Sequence, residues 1–144
     1  MVSLTITQLD PIKLPLIKRM YKAHYPSGKA KSDELILVGQ DEKSMCCCVR
    51  FKTIEQYRLL TGMLVIPSHR SLGVGHQLLD YCQEKILQST DYCFAYTHLE
   101  GMYQSHGFHT VEQDELPNPL RNLYERYTRH GKALIAMQYE GNIT

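Results

Sequence analysis

The chain has 144 residues, 43% apolar and 22% charged, the balance of a soluble globular protein long enough to bury a core. Sixteen Lys and Arg against fifteen Asp and Glu leave a formal charge of +1, without the basic excess of a protein that lives on nucleic acid. The first residues lack the charged lead and long apolar stretch of a signal peptide. No apolar run approaches the roughly 20 residues needed to cross a bilayer, so a cytoplasmic protein is expected.

Residues 4–8 alternate apolar and polar, as a half-buried strand does. Asp10 can then cap a helix with Pro11 in its first turn. Ile12, Leu16, Ile17, Met20 and Tyr21 fall near helical spacing, with Lys13, Lys18, Arg19 and Lys22 on the other side. The breaker cluster His24-Tyr25-Pro26-Ser27-Gly28 ends that helix. Residues 35–39 and 45–51 read as strands joined by the polar turn Gln40-Asp41-Glu42-Lys43. The second strand carries Cys46, Cys47 and Cys48; with Cys82 and Cys93 they make five cysteines with no Cys-x-x-Cys pair and no His at zinc spacing. On alternating faces of a strand Cys46, Cys47 and Cys48 read as small buried apolar groups in a reducing compartment, and no metal is expected.

Residues 57–66 form a longer apolar strand interrupted by Gly62, where a bulge or a close backbone approach is expected. Pro67 ends it. From Gly73 an amphipathic helix carries Val74, Leu78, Tyr81, Cys82 and Ile86. A buried strand over 92–97 and a short helix over 99–105 follow. Residues 108–111 and 133–139 read as the last strands, and between them Leu120, Leu123, Tyr124 and Tyr127 stand at helical spacing. With no repeat and no linker, residues 1–144 are expected to form a single domain. The order of elements indicates an α/β or α+β class with one central sheet.

The most informative stretch is strand 57–66, the loop after it and the helix that the loop opens. The first turn of a helix offers backbone N–H groups without intrahelical partners, and the helix dipole adds partial positive charge. A pyrophosphate fits such a place. Gly73 and Gly75 remove side chains that would hold phosphates off the backbone, and Arg70 adds a fork that matches phosphate oxygens. A dinucleotide Gly-x-Gly-x-x-Gly is not met, since Leu78 holds the third position, and no Gly-Lys-Ser or Gly-Lys-Thr exists for a Walker loop. A tight turn without a ligand is the plain alternative.

Arg70-Ser71-Leu72-Gly73-Val74-Gly75 resembles the Arg/Gln-x-x-Gly-x-Gly/Ala signature of the GNAT superfamily of N-acetyltransferases, and Val65-Ile66-Pro67 resembles the turn that precedes it. Downstream, Met102-Tyr103-Gln104-Ser105-His106-Gly107-Phe108 resembles the family's aromatic-Tyr-x-x-x-Gly-Phe segment. The resemblance covers about residues 57–111. It implies a central mixed, mostly antiparallel sheet of six to seven strands flanked by about four helices. It also implies acetyl-CoA as acyl donor, held by Arg70, Leu72, Gly73, Val74 and Gly75, with His76 or Gln77 adding a contact. Met63 and Val65 would present strand backbone to the pantetheine arm.

By the same resemblance Tyr103 is the candidate general acid. Amine attack on a thioester builds an oxyanion and then expels a thiolate, and a phenol with a reference pKa of about 10 is a proton donor at neutral pH. The alternative is that Tyr103 only packs. Two departures stand out. Many relatives carry a Glu on the strand before the loop, whereas Arg58, Leu59, Leu60 and Thr61 stand here, so no base is assigned; Glu55 is near but suits a turn. An Asn common before the Tyr helix is also missing, and Thr97 or His98 could replace its hydrogen bond to the cofactor arm.

The acceptor would be a primary amine on a small molecule or peptide, attacking directly within a ternary complex. Residues 21–31 are basic, and Arg121, Tyr124, Arg126, Tyr127 and Arg129 could bind an acid group on it or simply form a solvated helix face. The resemblance also admits a homodimer. Two other readings remain open: a non-catalytic acyl-CoA-binding or sensor protein, which the missing carboxylate favours and the retained Tyr103 disfavours, and a nucleic-acid-directed acetyltransferase, which the near-neutral charge disfavours.

Overall fold

A capped turn starts the first helix. In the computed structural model, which describes residues 3–26 and 28–141, Asp10 Oδ1 accepts the Ile12 N–H at 3.1 Å and caps a 3-10 turn at Pro11–Lys13. Helix α1 (Leu14–His24) follows. Residues 1, 2 and 27, which entered the expectations above about a leader and a helix end, lie outside the described residues. Ile17 and Tyr21 are buried on α1 and Met20 packs beside them, but Ile12 is 80% exposed and Leu16 43%. The expected apolar face is therefore corrected. A 3-10 turn advances three residues per turn, so Ile12 falls out of phase with the stripe that Ile17 and Tyr21 set.

The strands are β1 (Thr5–Gln8), β2 (Leu35–Gln40), β3 (Met45–Ile54), β4 (Tyr57–Val65), β5 (Asp91–Tyr96), β6 (Phe108–Thr110) and β7 (Leu134–Tyr139). They form a seven-stranded sheet in the order β1-β2-β3-β4-β5-β7-β6. Pairs β1–β2, β2–β3, β5–β7 and β6–β7 are antiparallel, and β4–β5 is parallel, setting Arg58, Leu59 and Leu60 beside Asp91, Tyr92 and Cys93. The remaining α-helices are α2 (Val74–Lys85), α3 (Glu100–Gln104) and α4 (Asn118–Thr128). Seven strands in a mixed sheet with four α-helices among the described residues is the α/β class expected. Among the described residues no helix is long and apolar enough to cross a membrane.

Contacts divide the chain into two units, Met1–Lys52 with Thr61–Tyr81 and Thr53–Leu60 with Cys82–Thr144. In the first unit Ile17 and Tyr21 from α1 pack with Ile36 and Val38 of β2, Cys48 of β3 and Leu64 of β4. Cys46, Cys47 and Cys48 are all buried and unbridged, as small apolar groups would be. In the second unit Leu120 and Leu123 of α4 pack with Leu59, Tyr92, Leu116 and Ala136. In the same unit the fully buried Asp91 carboxylate takes a fork from Arg58, Nε to Oδ1 at 2.5 Å and Nη2 to Oδ2 at 2.7 Å. The same Nη2 donates to the Ile86 carbonyl at 2.9 Å, and the Gln88 amide donates to Asp91 Oδ2 at 2.8 Å.

Candidate active site

In the first unit β4 carries the expected irregularity. Gly62 has φ +64°, and a Cβ there would come within 2.7 Å of both Arg50 Nε and the Tyr21 hydroxyl. Those two groups fix the bend. The Tyr21 hydroxyl donates to the Gly62 carbonyl, and Arg50 Nε donates to that hydroxyl at 3.2 Å with its guanidinium 4.9 Å above the ring. Arg50 Nη1 completes the set, 2.8 Å from both Glu34 carboxylate oxygens and 2.7 Å from the Lys29 carbonyl. Burial pushes the Tyr21 phenol far up, so it remains a donor across the ordinary pH range. Met63 and Val65 follow on the same strand, both partly exposed.

The chain then leaves β4 through a 3-10 turn, Pro67–His69. Arg70 Nε donates to the Val65 carbonyl at 3.0 Å, so the loop's cation also ties the loop back to the strand it left. Ser71 (φ +65°) and Gly73 (φ +78°) are both left-handed, which turns the backbone into α2. Val74, only 1% exposed, anchors the first turn of α2, while Leu72 points outward at 48%. The Gln77 N–H donates to the Gly73 carbonyl at 3.0 Å, and the Val74 and Gly75 amides lie ahead of it in the first turn of α2, at the positive end of the dipole. His76 is exposed on the same turn. Among the described residues, its own chain neighbours aside, no heavy atom lies within 4 Å of where a Gly73 Cβ would stand, so a ligand can meet the backbone there. These residues fit a pyrophosphate.

A brace beside this loop escaped the sequence reading. His69 Nε2 lies 2.6 Å from Asp41 Oδ2, and His69 Nδ1 lies 2.8 Å from the Ser68 hydroxyl. Asp41 Oδ1 accepts the Ser44 amide at 2.9 Å and the Lys43 amide at 2.7 Å. The His69 ring and these two amides hold the Asp41 carboxyl at about 2, below the usual carboxylate range. Asp41 had read only as a turn residue, and its partner is 28 positions away. The Tyr21–Arg50–Glu34 set was missed for the same reason, although a lone arginine in the apolar run of β3 was a usable signal.

In the second unit Thr97 and His98 are exposed on a 3-10 turn, with the His98 ring stacked on Tyr96 at 6.1 Å. Tyr103 sits on α3, is 4% exposed, and meets Phe108 edge-on at 5.6 Å. The His106 N–H donates to the Tyr103 carbonyl at 3.0 Å, and Gly107 (φ +90°) turns the chain into β6. The first unit thus gathers Met63, Val65, Arg70, Leu72, Gly73, Val74, Gly75 and His76, and the second gathers Thr97, His98 and Tyr103.

Glu34 is bound to Arg50, Asp91 to Arg58, and Glu55 stands exposed on the β3–β4 turn with φ +55°. Two of the side chains considered for the acceptor are structural. The Tyr124 hydroxyl donates to the Leu134 carbonyl at 2.7 Å, and Arg121 Nη2 holds the Asp114 and Leu116 carbonyls at 2.9 and 3.2 Å. Tyr127 packs edge-on against Phe94 at 6.2 Å.

Residues 32–110 match the family model described as Acetyltransferase (GNAT) domain, which is more than half of the chain. Among curated proteins none matches the sequence. Among solved structures, N-acetylglutamate synthase from Neisseria gonorrhoeae, complexed with coenzyme A and N-acetyl-glutamate, has a TM-score of 0.75 at 17% identity. That likeness covers 99% of this chain and 36% of the synthase, so the chain spans about a third of that protein's length. The ribosomal-protein-S18-alanine N-acetyltransferase of Escherichia coli has a TM-score of 0.64 at 14% identity, covering 99% of this chain and 96% of the other. Arabidopsis thaliana Naa50, in complex with the bisubstrate analogue CoA-Ac-MVNAL, gives 0.64 at 14% identity over 96% of this chain and 99% of its own. At these identities the likeness is one of fold, and the matched domain model carries the assignment: the chain belongs to the GNAT acetyltransferase family.

Proposed function

We propose that this protein is an N-acetyltransferase that moves acetyl from acetyl-CoA to a primary amine of a small molecule or peptide, by direct attack within a ternary complex. The observation that carries the reading is the turn at residues 70–75, with left-handed Ser71 and Gly73 opening α2 and clear space above Gly73. The Val74 and Gly75 amides and Arg70 bind the pyrophosphate, and the backbone of Met63 and Val65 lies along the pantetheine arm. Thr97 and His98 supply hydrogen bonds to that arm. The bound donor supplies a thioester whose carbonyl carbon takes the amine nitrogen as the C–S bond breaks. Tyr103 gives its phenolic proton to the departing sulfur, and a proton leaves the nitrogen to solvent. Coenzyme A and bisubstrate ligands in the neighbours named above support the donor.

Calorimetric titration with acetyl-CoA, CoA and NAD tests the reading. Acetyl-CoA and CoA are expected to bind and NAD is not. Gly73→Glu, which sets a carboxylate against the phosphates, is expected to abolish binding of both CoA forms. Failure of the unaltered protein to bind either form would return residues 70–75 to an ordinary turn. Binding without turnover on any amine would favour the sensor reading instead.

A further inference from the structure

Lys18 and Lys22 stand four residues apart on α1, so both side chains leave one face of the helix. The segment after α1 brings Lys29 and Lys31 to the same hollow. The four lysines ring a cavity of about 460 Å³ that Pro26 and Ala30 also line, and Ala30 is buried in the core at 4% exposure. Among the described residues no Asp or Glu lines this cavity, and none of the four ammonium groups is paired with a carboxylate.

The hollow is built rather than incidental. Arg50 Nη1 grips the Lys29 carbonyl at 2.7 Å, and Glu34 Oε1 accepts the Lys31 amide at 2.6 Å while bound to the same Arg50 nitrogen. Gly28 lies against the rings of Tyr21 and Tyr25, where a Cβ would come within 2.7 and 2.8 Å of ring carbons. Lysines on a merely solvated helix face would need neither an apolar floor nor a loop fastened from beneath. Four like charges around one cavity repel each other, and an anion relieves that repulsion, while the floor rewards carbon. A fastened loop also lowers the ordering cost of binding.

We propose that this cavity binds a small organic anion, a carboxylate or phosphate carried on a short apolar body. The proposal uses none of residues 63–76 and does not depend on the acetyl-CoA reading. The test is calorimetry on the full chain with phenyl phosphate, beside inorganic phosphate as charge without a body and benzyl alcohol as a body without charge. Phenyl phosphate is expected to bind saturably and at least about ten-fold more tightly than either. The binding should persist in Gly73→Glu, which removes the phosphate loop, and weaken about ten-fold or more in Lys22→Glu/Lys29→Glu. Lys18→Ala/Lys31→Ala should weaken it in the same direction, with thermal melts showing both variants folded. No saturable binding, unchanged affinity in both folded lysine variants, loss of binding in Gly73→Glu, or binding only to anionic phospholipid vesicles would each overturn it. Phenyl phosphate binding in a protein that ignores CoA would sink the acetyl-CoA reading alone.

Discussion

Tyr103→Phe removes one oxygen and keeps the ring that meets Phe108 edge-on. With the proton donor gone, turnover is expected to fall about 10²-fold or more while the acetyl-CoA dissociation constant stays within about two-fold. Steady-state rates beside calorimetry read this, and equal rates would leave Tyr103 as a packing residue. Gly62 answers for shape rather than chemistry. Gly62→Ala forces an L side chain into φ +64° and brings its Cβ within 2.7 Å of Arg50 Nε and the Tyr21 hydroxyl, which are already hydrogen-bonded to each other. A loss of about 2–3 kcal/mol is expected in urea unfolding, part from the left-handed backbone and part from the displaced Tyr21 and Arg50 contacts. A loss under about 0.5 kcal/mol would mean that the bend is not held by those two side chains.

At the scale of elements, the parallel β4–β5 pairing starts at the ion pair of half-buried Arg58 with fully buried Asp91. Arg58→Met leaves the Asp91 carboxylate without its cation in a fully buried place, and a loss of about 3–5 kcal/mol is expected by chemical denaturation. A double variant that also carries Asp91→Leu should recover much of that loss, because no unpaired charge remains. Neither partner was visible in the sequence: 33 residues separate them, and periodicity shows that a strand exists without showing which strand it meets. Elements with their own local signals were legible. Strands 35–39 and 45–51, helix α2 and the late helix all stand within a few residues of expectation. The 3-10 turn at Gln113–Glu115 was not read, although Glu112 and Glu115 form a capping box there.

For the molecule as a whole, legibility follows how far apart in sequence a function is assembled. The Arg70–Gly75 turn is written in six consecutive residues, so its paired glycines and the helix start after them were legible. The Tyr21–Arg50–Glu34–Gly62 network draws on four separate segments, and no local pattern announces it. The lysine-ringed cavity lies between these cases, since the charges were plain but the buried floor was not. Cys46, Cys47 and Cys48 were read as small buried groups, and they are buried together with Cys82 and Cys93; burial pushes Cys48 up to about 11 and Cys82 to about 12, and raises Cys46, Cys47 and Cys93 as well.

Those five silent thiols make a built-in stopwatch. An alkylating reagent cannot react until the chain around a sulfur opens, so the mass added to each peptide dates the opening of its own neighbourhood. Cys46, Cys47 and Cys48 report on the first unit, and Cys82 and Cys93 on the second. In folded protein at about pH 8 all five should label far more slowly than in urea, read as mass increments over time. One thiol labelling as fast as in urea would place it outside the core. Two distinct rates on digestion would show the units opening separately, and one shared rate would show them opening as a single event.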